Sequence, residues 1–524
     1  MVGYRIGIDV GGTNTDGVLM AGREAVAWAK RPTTRDVTAG IRAVLGDLLA
    51  ARRVEAGAIG AVMLGTTHFT NAVVQRRGLT PTAVVRLCLP AGSAVPPLFD
   101  WPPELRAALG DHAFLVGGGH EFDGREISPL DEVALRRVAA ELRARGVRAV
   151  AVVGIFAPVA PEHEERAAAL LRTELPDAAV AVSHEIGRVS LLERENAAAL
   201  NASLVEMARR TLRSFRAALA EQAIEAPLYV SQNDGTLMSA DYAERYPVLT
   251  FSSGPTNSMR GAAFLSGLAD ALVVDVGGTT TDVGLLVGGF PREASFAVNV
   301  GQVRTNFRMP DLLSIGLGGG SLVRDGGARI GPDSVGFELT ERALVFGGPE
   351  LTASDVAVAA GLAEMGDPTR VSHLDRALVK RALATIKETV ETAVDQMKTS
   401  PEPMPLILVG GGSVLLDEAI AGVSSVLRPE HYRVANAIGA AIAQVSGEVD
   451  QVYAMEGRTR ESVLDEARAA ARTRAIEAGA DPATIEVVDI DEIPLTYLPS
   501  NALRVRVKVV GDLLTAARGA KVRT

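Results

Sequence analysis

An eight-residue pattern occurs twice in this chain. Asp9–Asp16 reads Asp-Val-Gly-Gly-Thr-Asn-Thr-Asp and Asp275–Asp282 reads Asp-Val-Gly-Gly-Thr-Thr-Thr-Asp, with only Asn14 and Thr280 differing. Each copy follows a short apolar run (Tyr4–Ile8; Ala271–Val274) and precedes another (Gly17–Met20; Val283–Val287), which predicts a β-hairpin used twice. Paired glycines let a ligand approach backbone N–H groups, and threonine hydroxyls add donors, so the pattern suits a phosphate chain. Gly11, Gly12, Thr13, Thr15, Gly277, Gly278, Thr279 and Thr280 are the candidate phosphate contacts. Asp9 and Asp275 end the leading strands and are candidates for holding Mg²⁺ or orienting a nucleophile, because Mg²⁺ prefers carboxylate oxygen. Asp282 is a further candidate metal ligand, while Asp16 either serves the ligand or caps its own turn.

Other glycine clusters follow β-branched runs, notably Gly318–Gly320 and Gly410–Gly412. Pro405–Leu415 has the form of a strand running into glycines and a helix, whose N-terminal dipole would favour an anion. His68 stands beside Thr66 and Thr67 at an expected loop-to-helix junction, where acid–base work and a structural role are both open. His120-Glu121-Phe122-Asp123 and His184-Glu185 read as solvated turns, with a metal or substrate corner as the alternative, and His163 and His431 as surface residues. Arg194 and Asn201 share a helix face, suited equally to substrate contact and interdomain hydrogen bonding. There is no zinc-ligand spacing, no Gly-x-Ser-x-Gly nucleophile elbow, and no Gly-x-Gly-x-x-Gly after the first strand.

The elements that must hold these residues alternate between strand and helix, which predicts an α/β fold. Helical periodicity covers Val37–Arg53, Asp131–Arg145, Pro161–Glu174, Leu192–Gln222, Asp375–Lys398 and Glu461–Ala478. The repeat implies two related domains facing one cleft, over residues 1–185 and 186–449. Residues 450–524 read as a small α+β appendage in which Ile485–Ile490 pairs with Ala502–Val510, and Arg518–Thr524 as a frayed tail. The 524 residues carry 53 Lys+Arg against 63 Asp+Glu, a net charge of −10 that argues against nucleic acid as a partner. One cysteine, Cys88, reads as a small buried hydrophobe in a reducing compartment. No 18-residue stretch is free of polar residues and no leader is expected before the first strand, so the expected location is the cytoplasm, without a membrane span.

The paired hairpins resemble the two phosphate loops of the actin, heat-shock and sugar-kinase ATPase superfamily, in which two ribonuclease-H-like domains clamp ATP. The resemblance makes the glycine triplet Gly410, Gly411 and Gly412 an adenosine-binding element. Further segments are similar to the A-type subunit of the hydantoinase/oxoprolinase family. These are Gly65-Thr66-Thr67-His68-Phe69-Thr70-Asn71-Ala72, Glu193-Arg194-Glu195-Asn196 with Asn201, Ser252-Ser253-Gly254-Pro255, Ile315–Val323 with Gly318 and Gly319, Gly331–Gly336, and Val434–Ala440. The resemblance covers about residues 3–450 in the family's order. It implies ATP and Mg²⁺ as cofactors, a hydantoin, 5-oxoproline or other lactam as substrate, and phosphorylation of the substrate's amide oxygen before ring opening. It also implies a B-type partner subunit, a homo-oligomer, or both. Related subunits serve ATP-dependent carboxylases of acetone and acetophenone, so a carboxylase subunit or a small-molecule kinase is the alternative, and a non-catalytic ATP-driven clamp the alternative of another class. Three features depart from the family pattern: the length, the absence of a Pro-Gly-Pro stretch where Phe337-Glu338-Leu339 stands, and Asn14 where Phe is common.

Overall fold

The computed structural model describes residues 3–33, 37–294, 297–417, 419–496 and 502–514. The tail expected over Arg518–Thr524 lies outside them. The predicted helices form within a residue or two of their expected ends, as Val37–Arg52, Glu132–Ala144, Glu162–Glu174, Leu191–Glu221, Arg376–Met397 and Arg460–Glu477. Both duplicated patterns are hairpins. Tyr4–Val10 pairs antiparallel with Asn14–Ala21, and Ala271–Val276 with Thr281–Val287.

Three main sheets carry the chain. The first has nine strands in the order Glu24–Pro32, Asn14–Ala21, Tyr4–Val10, Ile59–Thr66, Leu228–Ser231, Leu237–Ser239, Val445–Tyr453, Ala502–Gly511 and Glu486–Leu495. The second is built around the second hairpin, with Met404–Val409 and Val423–Leu427 running parallel to Ala271–Val276. The third is an all-parallel sheet of four strands, His112–Gly117, Thr82–Leu89, Ala149–Gly154 and Ala179–Val182. Its central strands are buried almost throughout because helices cover both faces, with Arg86 the charged residue among them.

Sheet membership departs from the domain spans read off the sequence. Leu228–Ser231 and Leu237–Ser239 fall inside 186–449 yet hydrogen-bond into the first sheet. The expected pair Glu486–Leu495 and Ala502–Gly511 forms, but it extends that same sheet instead of standing apart. The reason is a long excursion: after Ile59–Thr66 the chain builds the four-stranded unit before returning. The return is Leu191–Glu221, about 46 Å long at 1.5 Å per residue. Its Ala197–Ala208 half packs in the core of the inserted unit, and Leu212, Phe215 and Leu219 pack under the first sheet. Among the described residues no helix is long and apolar enough to cross a membrane.

Candidate active site

In each hairpin two aspartates lie directly opposite one another across the strands, Asp9 with Asp16 and Asp275 with Asp282. Like charges in that relation destabilise a sheet, so each pair needs neutralising partners. For the first pair the partners come from far along the chain. Asn257 Nδ2 donates to Asp9 Oδ1 at 3.2 Å. Asn436 Nδ2 lies 3.0 Å from Asp9 Oδ2 and 2.8 Å from Asp16 Oδ2. Lys30 Nζ is 2.7 Å from Asp16 Oδ1. In the second hairpin Ser258 hydrogen-bonds Asp275 and Ser314 hydrogen-bonds Asp282.

Two helices bring these partners in. Asn257 and Ser258 lie on Ser253–Ser266, and Asn436 on Ala435–Ile442. The helices touch backbone to backbone, because a Cβ on Gly439 would overlap the Asn257 carbonyl and one on Gly261 the Ala435 carbonyl. Glycine also makes room for the acids themselves. A Cβ at Gly65 would collide with the Asp9 carboxylate, and one at Gly410 with that of Asp275. The two halves thus share a device: a hairpin aspartate flanked by a glycine at the end of the neighbouring parallel strand.

The hairpin tips meet. Thr13 Oγ1 and Thr279 Oγ1 are 3.3 Å apart, and a Cβ on Gly278 would strike the Thr13 side chain. Each turn is closed by its first glycine, Gly11 N to Asn14 O at 3.0 Å and Gly277 N to Thr280 O at 2.9 Å. Thr33 braces the first turn through Gly11 O and Thr13 O. Gly318–Gly320 brace the second: Gly319 N donates to Gly277 O and Gly320 N to Gly278 O, while Gly318 N donates to Ser321 Oγ. The amides of Gly318 and Gly319 are therefore occupied, and these glycines shape the hairpin from behind. Gly411–Leu415 is a single five-residue 3₁₀ turn, not the helix expected after the glycines. Gly412 packs against Val276, and Gly411 faces open space.

The electrostatics follow from this crowding. Burial pushes Asp9 up to about 6, against the pull of its Asn257 bond, with repulsion from Asp16 and Asp275 adding to the rise. Burial pushes Asp282 up to about 7 and raises Asp275 in the same direction. Asp9, Asp275 and Asp282 offer the carboxylate oxygen that Mg²⁺ prefers, but among the described residues the three do not gather into one set of ligand atoms within 4.8 Å of one another.

His68 opens the helix His68–Gln75, half-buried, its ring edge on Phe69 and its proton affinity lowered by burial and by Arg210. Its ring makes no hydrogen bond among the described residues. Arg194 is wholly buried and binds Ser183 Oγ and the carbonyls of Gly154, Arg188 and Val189, while Asn201 binds Arg245 O; both act as structural ties. His163 and His120 are buried rather than at the surface, and their ligand atoms approach that of Glu126 within 4.8 Å. Gly119 N–H points at His163 Nδ1, so the ring proton sits on Nε2 and is donated to Glu126 at 3.1 Å. That arrangement is a hydrogen-bonded pair, since a metal at Nε2 would have to displace the proton. Cys88 is buried as expected, with its thiol pushed up by burial. Sequence reasoning overlooked Lys30, Asn257, Ser258 and Ser314 and assigned no role to Asn436, whose polar side chains gain meaning only once the helices cross.

Residues 5–175 match the hydantoinase/oxoprolinase N-terminal region, and residues 194–367 match the hydantoinase/oxoprolinase region that follows it. The caprolactamase subunit alpha of Pseudomonas jessenii is 29% identical over 68% of this chain and 54% of its own length. The acetophenone carboxylase gamma subunit of Aromatoleum aromaticum is 28% identical over 68% of this chain and 53% of its own. The alignments therefore span about half the length of these relatives. A crystal structure of the ATP-dependent caprolactamase from Pseudomonas jessenii superposes with a TM-score of 0.75 at 21% identity, covering 97% of this chain and 87% of that one. A nucleotide-free acetone carboxylase superposes at 0.72 with 17% identity, covering 98% and 88%. Each region contains one of the two hairpins, together they take in well over half of the chain, and on that ground the chain belongs to the hydantoinase/oxoprolinase family.

Proposed function

We propose that this chain is the ATP-using subunit of an ATP-dependent cyclic amidase, acting on a lactam or hydantoin. The observation that carries the proposal is the meeting of two equivalent hairpin tips at Thr13 and Thr279, each backed by an opposed aspartate pair. A triphosphate held there is approached from both sides by glycine backbone and threonine hydroxyls, the positioning that phosphoryl transfer depends on. Asp9, Asp275 and Asp282 would hold Mg²⁺, directly or through its waters, and the ion would supply charge neutralisation of the phosphates. The substrate's amide oxygen attacks the γ-phosphorus, and the bond to the bridging oxygen breaks as ADP leaves. Water then adds to the activated carbon, the ring C–N bond opens as nitrogen takes a proton, and a second water hydrolyses the resulting acyl phosphate to the ring-opened acid and phosphate. An unactivated amide is a poor electrophile, so ATP supplies the leaving group. His68 is retained only as a candidate for proton transfer.

Two relatives are named as subunits, caprolactamase alpha and acetophenone carboxylase gamma, which supports a partner chain for the ring-opening step. Similarity to the carboxylase subunit is nearly as high as to the caprolactamase subunit, so activation of a ketone for carboxylation is the second reading. Phosphate release is measured with Mg-ATP alone, with a lactam series, and with acetophenone plus bicarbonate. Lactam-stimulated release supports the amidase; ketone-stimulated, bicarbonate-dependent release selects the carboxylase. Release indifferent to every acceptor would leave a clamp and sink both.

A further inference from the structure

Behind the hairpin tips lie the two opposed aspartate pairs, and among the described residues Lys30 is the one cation paired with any of the four acids. Lys30 stands on Glu24–Pro32, the strand beside the first hairpin, directly opposite Asp16, which is itself opposite Asp9. Residues opposed across antiparallel strands share a face, so Asp9, Asp16 and Lys30 form one row of two carboxylates and an ammonium. The neighbouring Arg31 points to the other face, where Asp47 holds it at 2.7 and 2.9 Å. The Asp16 side chain is 5% exposed and that of Lys30 27%, so the row meets solvent at its ammonium.

An ammonium carries three N–H donors. Lys30 Nζ lies 2.7 Å from Asp16 Oδ1 and donates to Arg433 O at 3.3 Å. Its third N–H has no acceptor among the described residues. The chain just beyond Lys30 is tied to the first tip: Thr33, about 10 Å further on at 3.3 Å per residue, donates from Oγ1 to Gly11 O at 2.9 Å and from N to Thr13 O at 2.8 Å. The Lys30 charge also reaches the other half. Burial raises the Asp275 carboxyl of the second hairpin, and its bond to Ser258 and the charge of Lys30 oppose that rise. The ammonium therefore sits where both hairpins feel it.

Four aspartates make this space hostile to a phosphate chain, and its terminal group is the hardest to place. A singly esterified phosphate carries roughly −1.5 to −2 at neutral pH, more than each bridging phosphate of the chain. Glycine amides and threonine hydroxyls offer donors without net charge. A lysine with an unspent donor and a charge felt by both hairpins offers what they lack, a hydrogen bond to an ionised oxygen, about twice as strong as a neutral one.

We propose that Lys30, held in place by Asp16, meets the terminal phosphate of the nucleotide bound between the hairpins, so that it separates ATP from ADP and stays with the phosphoryl group during transfer. This rests on the nucleotide reading of the hairpins. In the transfer the bond from phosphorus to the bridging oxygen breaks, the bond to the acceptor oxygen forms, and charge spreads over the three remaining oxygens. Lys30 supplies charge and a donor to those oxygens and exchanges no proton. The bland alternative is that Lys30 only neutralises Asp16.

The test is calorimetric binding of Mg-ATP and of Mg-ADP to the full chain near neutral pH. Lys30→Met is measured with Asp16 intact and in an Asp16→Asn background, which removes the acid that the first substitution strands and guards against misfolding. The ratio of ATP to ADP affinity is expected to fall by about tenfold on Lys30→Met in both backgrounds, the loss of one charge-assisted bond to the terminal phosphate. A neutralising role would instead lower both affinities alike and vanish once Asp16 is replaced. Lys30→Arg, which keeps the charge, is expected to hold the ratio well above that of Lys30→Met. A fall of less than about threefold in either background, or a Lys30→Arg ratio no better than that of Lys30→Met, would overturn the proposal. Wild type that binds ATP while Lys30→Met leaves the ratio unchanged counts against Lys30 alone. Wild type that binds neither nucleotide overturns the hairpin reading, and the role of Lys30 with it.

Discussion

Thr13 and Thr279 occupy the same position in two hairpins 266 residues apart, and their hydroxyls lie 3.3 Å from each other. Nothing in a turn requires a threonine there twice, and the proposed ligand shared by the two tips would account for it. The asymmetry of the surrounding space gives a test. A Cβ on Gly278 would meet Thr13 Cβ at 2.8 Å, whereas one on Gly12 meets nothing within 4 Å. Gly278→Ala is therefore expected to force the tips apart, at about 1–3 kcal/mol and tenfold or more in ATP turnover, and Gly12→Ala to be milder. Turnover rates of the two variants check it, and equal effects would argue that the tips do not work together.

Asn436 bridges Asp9 and Asp16 with one amide nitrogen. Asn436→Leu leaves both carboxylates without that donor and is expected to destabilise the chain by about 1–3 kcal/mol. Asn436→Asp adds a third carboxylate and is expected to be worse in both melting temperature and ATP binding. Thermal melts with and without Mg-ATP separate the two effects; an unchanged ATP-induced shift in both variants would detach Asn436 from the site.

The hairpins, their aspartates and all six long helices were legible because each is a local pattern: a duplicated turn, or a 3.6-residue period. What was not legible depends on chain crossings. Asn257, Ser258 and Asn436 are ordinary helix residues in sequence, and only the Gly261 and Gly439 contacts carry them to the acids. The C-terminal strands alternated as expected, but nothing local says that Val445–Tyr453 joins the sheet begun at Tyr4. Gly318 and Gly319 carry the glycine signature of a ligand loop and use it to pack a backbone against another backbone. His163 looked like a surface residue at a helix start, and its burial comes from the Gly118-Gly119 bend that covers it.

The Glu164–His184 pair makes stability depend on pH from both sides. Burial would raise Glu164, but bonding to His184 and the charge of Arg194 outweigh it and hold Glu164 below its ordinary value; His184 is held above its own. The lowered acid contributes stability above its unfolded pKa that is lost as pH falls through the folded value. The raised base contributes below its unfolded pKa and loses it as pH rises through the folded one. Glu164→Gln is thus expected to lower the melting temperature most between those limits, in mildly acidic solution, and less at alkaline pH. A pH series of melts on wild type and variant checks this; a difference that grows toward alkaline pH would contradict it.

Arg86 and Glu195 form a wholly buried bidentate pair at 2.6 and 2.7 Å, joining Thr82–Leu89 to the long helix. Arg86→Met leaves Glu195 charged and unmatched, an expected loss of about 3–5 kcal/mol. Adding Glu195→Leu is expected to recover most of it, because the penalty lies in the stranded charge. Denaturant melts of the two singles and the double measure the coupling. A double variant no better than Arg86→Met would show instead that packing, not charge, sets the loss.

The central claim is that the two hairpins form one nucleotide site rather than two. Calorimetric titration with Mg-ATP of the wild type and of Asp9→Asn and Asp275→Asn tests it most directly, with circular dichroism confirming that each variant is folded. One ATP per chain is expected in the wild type and, for either single substitution, weakened binding at that one site with turnover lost. Two ATP per chain, with each substitution removing one and sparing the other, would contradict it.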